Sequence, residues 1–126
     1  MKMQRLIPML PVRSMPASVE YYAKLGFAVE NRNDQWRWAM LVMDECRIMV
    51  DESINQPADA PRTSVVYLYP EDIFAYHQQV RRRGLDVPAI SHPFYGMSEF
   101  RIEDPDGNRF WIGQKIAAPA EAYERR

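Results

Sequence analysis

Two histidines and one cysteine are all that 126 residues offer by way of nitrogen or sulfur metal ligands. The single thiol, Cys46, excludes an internal disulfide and suits a reducing cytoplasm. It lies in a strand-like run, where we expect a packed thiol and not a nucleophile. The five glycines form no phosphate-cradling loop. Neither charge is in excess, with 16 Lys+Arg against 17 Asp+Glu, so there is no broad basic field for nucleic acid. The one basic cluster, Arg81-Arg82-Arg83, reads as the solvated end of a helix, where cations suit the dipole. No apolar run reaches transmembrane length, and Met1-Lys2-Met3-Gln4-Arg5 carries no apolar signal core. What remains, 47% hydrophobic, is one globular domain, expected to be cytoplasmic, with neither nucleic acid nor membrane as partner.

The strongest local signal runs from Phe94 to Gln114. Its centre, Asp104-Pro105-Asp106-Gly107-Asn108, has turn chemistry: proline presets φ, and Gly107 and Asn108 tolerate positive φ. Met97 to Glu103 alternates apolar with polar residues, and Arg109 to Gly113 is a short aromatic and β-branched run, so the whole predicts a β-hairpin. Upstream, Arg5 to Val12 reads as a strand weakened by Pro8 and Pro11. Ser14 ahead of Met15-Pro16 starts a helix carrying Val19, Tyr22, Ala23 and Leu25, which Gly26 closes. Strands are expected at Phe27 to Glu30, Trp36 to Met43 and Cys46 to Asp51, and a linker at Ser53 to Arg62. A strand at Ser64 to Tyr69 precedes a second helix, which starts at Pro70-Glu71-Asp72, bears Ile73, Phe74, His77 and Val80, and ends at Gly84. Leu85 to Val87 is a short strand. The tail either forms a short helix around Ala120 to Tyr123 or frays.

An internal repeat joins these elements. A shift of 58 residues sets Gly26 on Gly84, Val29 on Val87 and Met15 on Ile73; a shift of 62 sets Arg47-Ile48-Met49-Val50 on Arg109-Phe110-Trp111-Ile112. Each half is then strand, helix, strand, strand, strand. The expected fold class is α+β: two βαβββ modules forming a cupped, mostly antiparallel sheet with helices on the outer face. One domain spans 1–126, with module 1 at about 5–52, a linker at 53–62, module 2 at about 63–115 and a tail at 116–126.

With that order in place, Leu10-Pro11-Val12-Arg13 leading into Tyr21-Tyr22, then Leu25-Gly26-Phe27 and the Asp104 to Asn108 turn, resemble the vicinal oxygen chelate superfamily. This is the glyoxalase, bleomycin-resistance and dioxygenase group, and the likeness covers about residues 5 to 115. Tyr95-Gly96 with Glu99-Phe100 ahead of the turn resembles its bleomycin-resistance branch. The resemblance implies a homodimer. In the group's metal enzymes it also implies a His or Gln in the first strand of each module and a Glu in the last. Those positions fall here on Ile7, Val65, Met49 and Trp111, none of which ligates a hard divalent ion. A slip of one residue reaches only Leu6, Pro8, Ile48, Val50, Ser64, Val66, Phe110 and Ile112. His77 and His92 lie outside those strands. No metal ligand, catalytic residue or cofactor is therefore assigned.

Residues in phase with these four positions are expected to face the concavity: Met9, Arg47, Asp51, Tyr67, Tyr69 and Arg109, with Glu99, Arg101 and Glu103 opposite Phe100 and Ile102. The candidate ligand-binding set is Met49, Asp51, Tyr67, Tyr95, Glu99, Arg101 and Trp111, with Tyr95 as a lid aromatic. A plainer role stands beside each. Trp111 reads equally as core or dimer interface, Met49 as gap-filler, Glu99 and Arg101 as a mutually neutralised pair, and Tyr95 as a solvated loop residue. Trp38 reads as core on the first helix. Glu99, Glu103 and Asp51 are the carboxylates available as bases if the pocket desolvates them. The favoured reading is metal-free, non-enzymatic binding of an aromatic small molecule, similar to drug-sequestering antibiotic-resistance proteins. It would stack on Trp111 or Tyr67, with cation–π attraction if the ligand is cationic. The near-neutral charge counts against a strongly basic ligand. The alternatives are a glyoxalase-superfamily lyase, isomerase or dioxygenase with non-standard metal ligands, and a module that docks another protein.

Overall fold

The computed structural model describes residues 1–54, 57 and 59–116; the expected tail helix lies outside them. The chain divides into two compact units, Met1–Pro61 and Arg62–Arg126, each with its own sheet and helix. Among the described residues no helix is long and apolar enough to cross a membrane.

The first unit runs β1 (Met9–Pro11), α1 (Met15–Leu25), β2 (Ala28–Asn33), β3 (Trp38–Met43) and β4 (Cys46–Asp51), in sheet order β1-β4-β3-β2. β1 pairs parallel with β4 and the other two pairs are antiparallel. β1 is shorter than the expected Arg5 to Val12, because Pro8 and Pro11 have no N–H to donate. The ladder survives through acceptors and flanking amides: Pro8 O accepts from Met49 N at 2.9 Å, and Val12 N donates to Asp51 O at 3.1 Å. Ser14 caps α1 by accepting from Ala17 N, and Gly26, at φ 112°, returns its N–H to Tyr22 and Ala23. Met15, Ser18, Tyr22 and Leu25 bury one stripe of the helix, and Leu10, Ala39, Leu41, Ile48 and Val50 are buried on the strands.

Alternation sends the other residues of these strands to the open face, where Met9, Met49 and Met40 stand in one cross-strand row. Trp38 belongs to this face. It is in phase with Met40 and out of phase with the buried Ala39 and Leu41, so the expectation that it packs on the first helix is corrected. Cys46 is likewise exposed and not packed, since it is the first residue of β4 after a tight turn whose Asp44 takes φ 54°. A bulge between Val29 and Asn31 sets Glu30 apart in β2, and its carboxylate receives the Arg47 guanidinium at 2.7 Å.

The second unit runs β5 (Val65–Leu68), α2 (Ile73–Arg82), β6 (Met97–Glu103) and β7 (Arg109–Lys115), in sheet order β5-β7-β6. β5 pairs parallel with β7, and β6 with β7 forms the expected hairpin. Its turn is held by Asp104, 5% exposed, whose carboxylate accepts from Asp106 N, Asn108 N and Asn108 Nδ2 at 2.8–2.9 Å. Asp72 caps α2 through Phe74 N and Ala75 N, and Arg81 and Arg82 occupy its last turn. Leu68, Ile73, Val80, Phe100, Ile102, Phe110 and Ile112 make the buried set. The expected strand at Leu85 to Val87 is absent. Past Gly84, at φ 96°, the carbonyl of Pro88 is taken by His77 Nε2 at 2.8 Å, and pairing resumes only as an isolated bridge from Ser91 to Glu99.

Each unit therefore builds the βαβββ plan of an α+β fold, the second with a bridge in place of one strand. The repeat extends to a pair of side chains. Met15 N, at the start of α1, donates to Glu52 Oε2 at 2.8 Å, and Ile73 N, at the start of α2, donates to Gln114 Oε1 at the same distance. Glu52 follows β4 and Gln114 lies in β7, so both helices are tied at their first turn to the final strand of their own module.

Candidate functional site

The register of the second sheet sets one row of side chains across its open face: Tyr67 on β5, Trp111 on β7 and Arg101 on β6. The next row along holds Glu99 opposite Gly113. Their neighbours in sequence, Leu68, Ile112, Phe100 and Ile102, are buried. The alternation that fills the core thus raises these residues together on the other face.

Glu99 is the hub. Its side chain is 1% exposed, and a buried carboxylate is tolerable only when its lone pairs are occupied. Tyr67 Oη donates to Oε2 at 2.7 Å, and Tyr95 Oη and Arg101 Nε donate to Oε1 at 2.6 and 2.9 Å. Arg101 Nη2 also donates to Tyr95 Oη at 2.9 Å, which closes a ring of three polar groups, with Tyr67 attached to it through Glu99. Burial pushes the Glu99 carboxyl upward, but Tyr95, Tyr67 and Arg101 outweigh it and hold the group below its ordinary 4.5. Tyr67 is pushed up, first by burial and then by its bond to Glu99. Tyr95 moves the same way for the same reasons, with Arg101 opposing. Arg101 is raised by Tyr95 and Glu99. Glu99 is therefore a carboxylate and both tyrosines are neutral phenols at neutral pH.

Tyr67 reaches Glu99 because residue 113 is glycine. A Cβ there would fall inside contact distance of Tyr67 Oη, and 3.1 Å from both Tyr67 Cζ and Ser98 O. A glycine inside a strand marks such close approaches. That was the available signal, and the sequence reading did not use it.

The aromatic side of the face is continuous. Tyr67 lies against Tyr69 at 4.6 Å between ring centroids and meets Trp111 edge-on at 6.5 Å. The Arg101 guanidinium carbon sits 3.5 Å from the centroid of the Trp111 ring, so the cation–π position there is filled from within the chain. Beside it, Arg101, Ile102, Glu103, Arg109 and Trp111 line a depression of about 250 Å³. Arg109 Nη2 donates to Thr63 O at 2.6 Å, while its Nε is buried with no hydrogen-bond partner.

Five of the seven candidate ligand-binding residues, Tyr67, Tyr95, Glu99, Arg101 and Trp111, thus meet in one network of module two. Met49 and Asp51 belong to module one. Met49 sits mid-row between Met9 and Met40, and Asp51, 8% exposed, spends Oδ1 on Ser53 N and Ser53 Oγ. The positions where the resemblance puts metal ligands hold Ile7, Met49, Val65 and Trp111. None offers a carboxylate or imidazole, and Trp111 lies under Arg101, so these residues do not fit a hard divalent ion. Among the described residues no group of three or more His, Cys, Asp or Glu is placed to hold a metal.

Comparison with known proteins agrees with this architecture. The family model described as Glyoxalase/Bleomycin resistance protein/Dioxygenase superfamily matches residues 6–112. A bleomycin resistance determinant encoded on the transposon Tn5 superposes with a TM-score of 0.76 at 19% identity, over 90% of this chain and 98% of that one. A bleomycin-binding protein complexed with bleomycin gives 0.75 at 19% identity, over 90% and 99%. A glyoxalase/bleomycin resistance protein from Catenulispora acidiphila gives 0.70 at 21% identity, over 90% and 97%. No curated protein sequence matches the chain.

Proposed function

The chain belongs to the glyoxalase/bleomycin resistance protein/dioxygenase superfamily, and from that premise we propose that it binds a small aromatic molecule without converting it, on the open face of its second sheet. The observation that carries this reading is the buried, three-donor environment of Glu99. A general base needs access to its substrate and a pKa lifted toward neutrality, whereas this carboxylate is 1% exposed, holds three donors and is pulled down. Tyr67 and Tyr95, both raised, are no closer to acting as phenolates. The network stiffens the floor of a site and offers nothing that abstracts a proton.

The floor itself suits aromatic contact. Tyr67 and Tyr69 lie ring against ring beside Trp111, whose face Arg101 covers, and aromatic ligands gain offset or edge contacts on such surfaces. Binding is metal-free, because the side chains at the ligand positions of the metal enzymes supply no suitable donors. Three structural neighbours are named for bleomycin resistance or bleomycin binding, which supports sequestration of a small molecule as the task. We also expect a homodimer, which sedimentation velocity measures directly.

The test is a thermal-shift screen of aromatic compounds against the wild type and Trp111→Ala. A compound that binds the native state raises its melting temperature by mass action, by about 2.7 kcal/mol of added stability at a hundredfold excess over Kd. The shift is expected to shrink or vanish in Trp111→Ala. An undiminished shift overturns the stacking floor, and turnover of the bound compound overturns the non-enzymatic reading.

A further inference from the structure

We propose that the ligand of this face is a planar aromatic anion, such as an aryl carboxylate or aryl sulfonate, selected by Arg101. This rests on the proposed aromatic-binding function and names the ligand class that the site prefers.

The argument begins with which polar atoms the face still offers. The Glu99 carboxylate is buried and already holds three donors, so it presents no acceptor to an incoming cation. Arg101 is different. Its side chain is 49% exposed, its Nε is committed to Glu99 and one Nη2 hydrogen to Tyr95, and among the described residues Nη1 has no hydrogen-bond partner. A guanidinium presents its N–H groups as a rigid planar fork, and the geometry that satisfies such a fork is a carboxylate or sulfonate in its plane. Because the guanidinium carbon sits 3.5 Å from the centroid of the Trp111 ring, an anion held by Arg101 brings an attached ring up to the aromatic face.

The exposed guanidinium and the size of the depression bear on the choice of ligand. Arg109, in phase with Trp111 on β7, lines the same depression and brings a second guanidinium. Glu103 stands opposite Arg109 in the ladder and is exposed at the rim, so it offsets that second charge. Arg101 has its counter-ion, Glu99, buried, while its own side chain is 49% exposed. A cationic ring seeking the face of Trp111 meets Arg101 already there, and like charges brought together weaken binding. The depression of about 250 Å³ is smaller than the roughly 300–1,000 Å³ of drug-sized sites, which favours a one- or two-ring ligand.

The experiment uses three naphthalenes that share a ring and differ in charge: 2-naphthoate, 2-naphthamide and 2-(aminomethyl)naphthalene, titrated calorimetrically into the wild-type protein. The expected order is naphthoate, then amide, then amine, with the anion at least about tenfold tighter than the amide, the value of one charge-assisted hydrogen bond. Its advantage should fall as salt rises, since part of it is Coulombic. Arg101→Gln should erase the anion's lead while the amide still binds, and Arg101→Lys should restore only part of it. If Arg101→Gln does not fold, the salt series on the wild type decides the matter alone. Equal or tighter binding of the amide or amine overturns the anion preference and leaves the aromatic-binding reading standing. If none of the three binds, both fall.

Discussion

Glu99 shows how one residue sets the character of a surface. Its carboxylate is worth burying only because Tyr67, Tyr95 and Arg101 converge on it. Glu99→Gln replaces an acceptor-only group with one that must also donate, leaving phenol and guanidinium hydrogens facing an amide. We expect a loss of about 1–3 kcal/mol in chemical denaturation. The pH response follows from the sign of the shift. The folded pKa lies below the unfolded 4.5, so the stabilisation is complete above that value and is lost as pH falls through the folded one. The wild type should therefore lose its advantage over Glu99→Gln below about pH 4.5, and equal slopes for the two proteins in acid would contradict the assignment.

Gly113 supports the same hub from across the ladder. Gly113→Ala should cost about 1–3 kcal/mol by crowding the Tyr67 ring and the Ser98 carbonyl. In a Tyr67→Ala background the penalty should shrink, and a double-mutant cycle measures the difference. At this scale the sequence was partly legible. Period-2 alternation placed Glu99, Arg101, Trp111 and Tyr67 on one face, and the Glu99–Arg101 pairing was among the readings. That two phenols also join the carboxylate depends on side-chain reach and on the gap at residue 113, which no spacing rule contains.

At the scale of elements, the helix ends were the most readable features because their chemistry is local. Ser14 accepts from the amide of Ala17, and Gly26 turns the chain left-handed after α1; the second helix begins at Ile73 and not at Pro70, with Asp72 as its cap and no acid in its first turn. The hairpin was legible for the same reason, since Asp104 and Asn108 hold their own turn. The strand at Leu85 to Val87 was misread because three residues carry too little pattern to fix a partner; pairing begins only at the Ser91 to Glu99 bridge. Trp38 was misplaced by phase, which only its pairing with Asp51 settles. The ties to the helix starts were not foreseen. Gln114→Ala and Glu52→Ala should each cost about 1 kcal/mol, as losing a helix-start acceptor does. The exchanges Glu52→Gln and Gln114→Glu should cost less, since each keeps an oxygen for the same amide, and thermal melts of the four variants compare them.

For the molecule as a whole, the composition excluded much and selected little. The fold became readable only when two halves of low identity were laid over each other, and the missing metal donors became readable only against the family's plan. One expected outcome belongs here. Exhaustive dialysis against a chelator should leave a ligand-induced rise in melting temperature unchanged, and loss of the rise, restored by a divalent ion, would overturn the metal-free reading. The matched ties at Met15 and Ile73 carry a last consequence. Each half of the chain ties the start of its helix to the end of its sheet, and the two ties share no atoms. Untying one by Glu52→Ala should let amide protons in the first turn of α1 exchange faster with solvent, while those of α2 keep their protection: a lock on each room, and no common key.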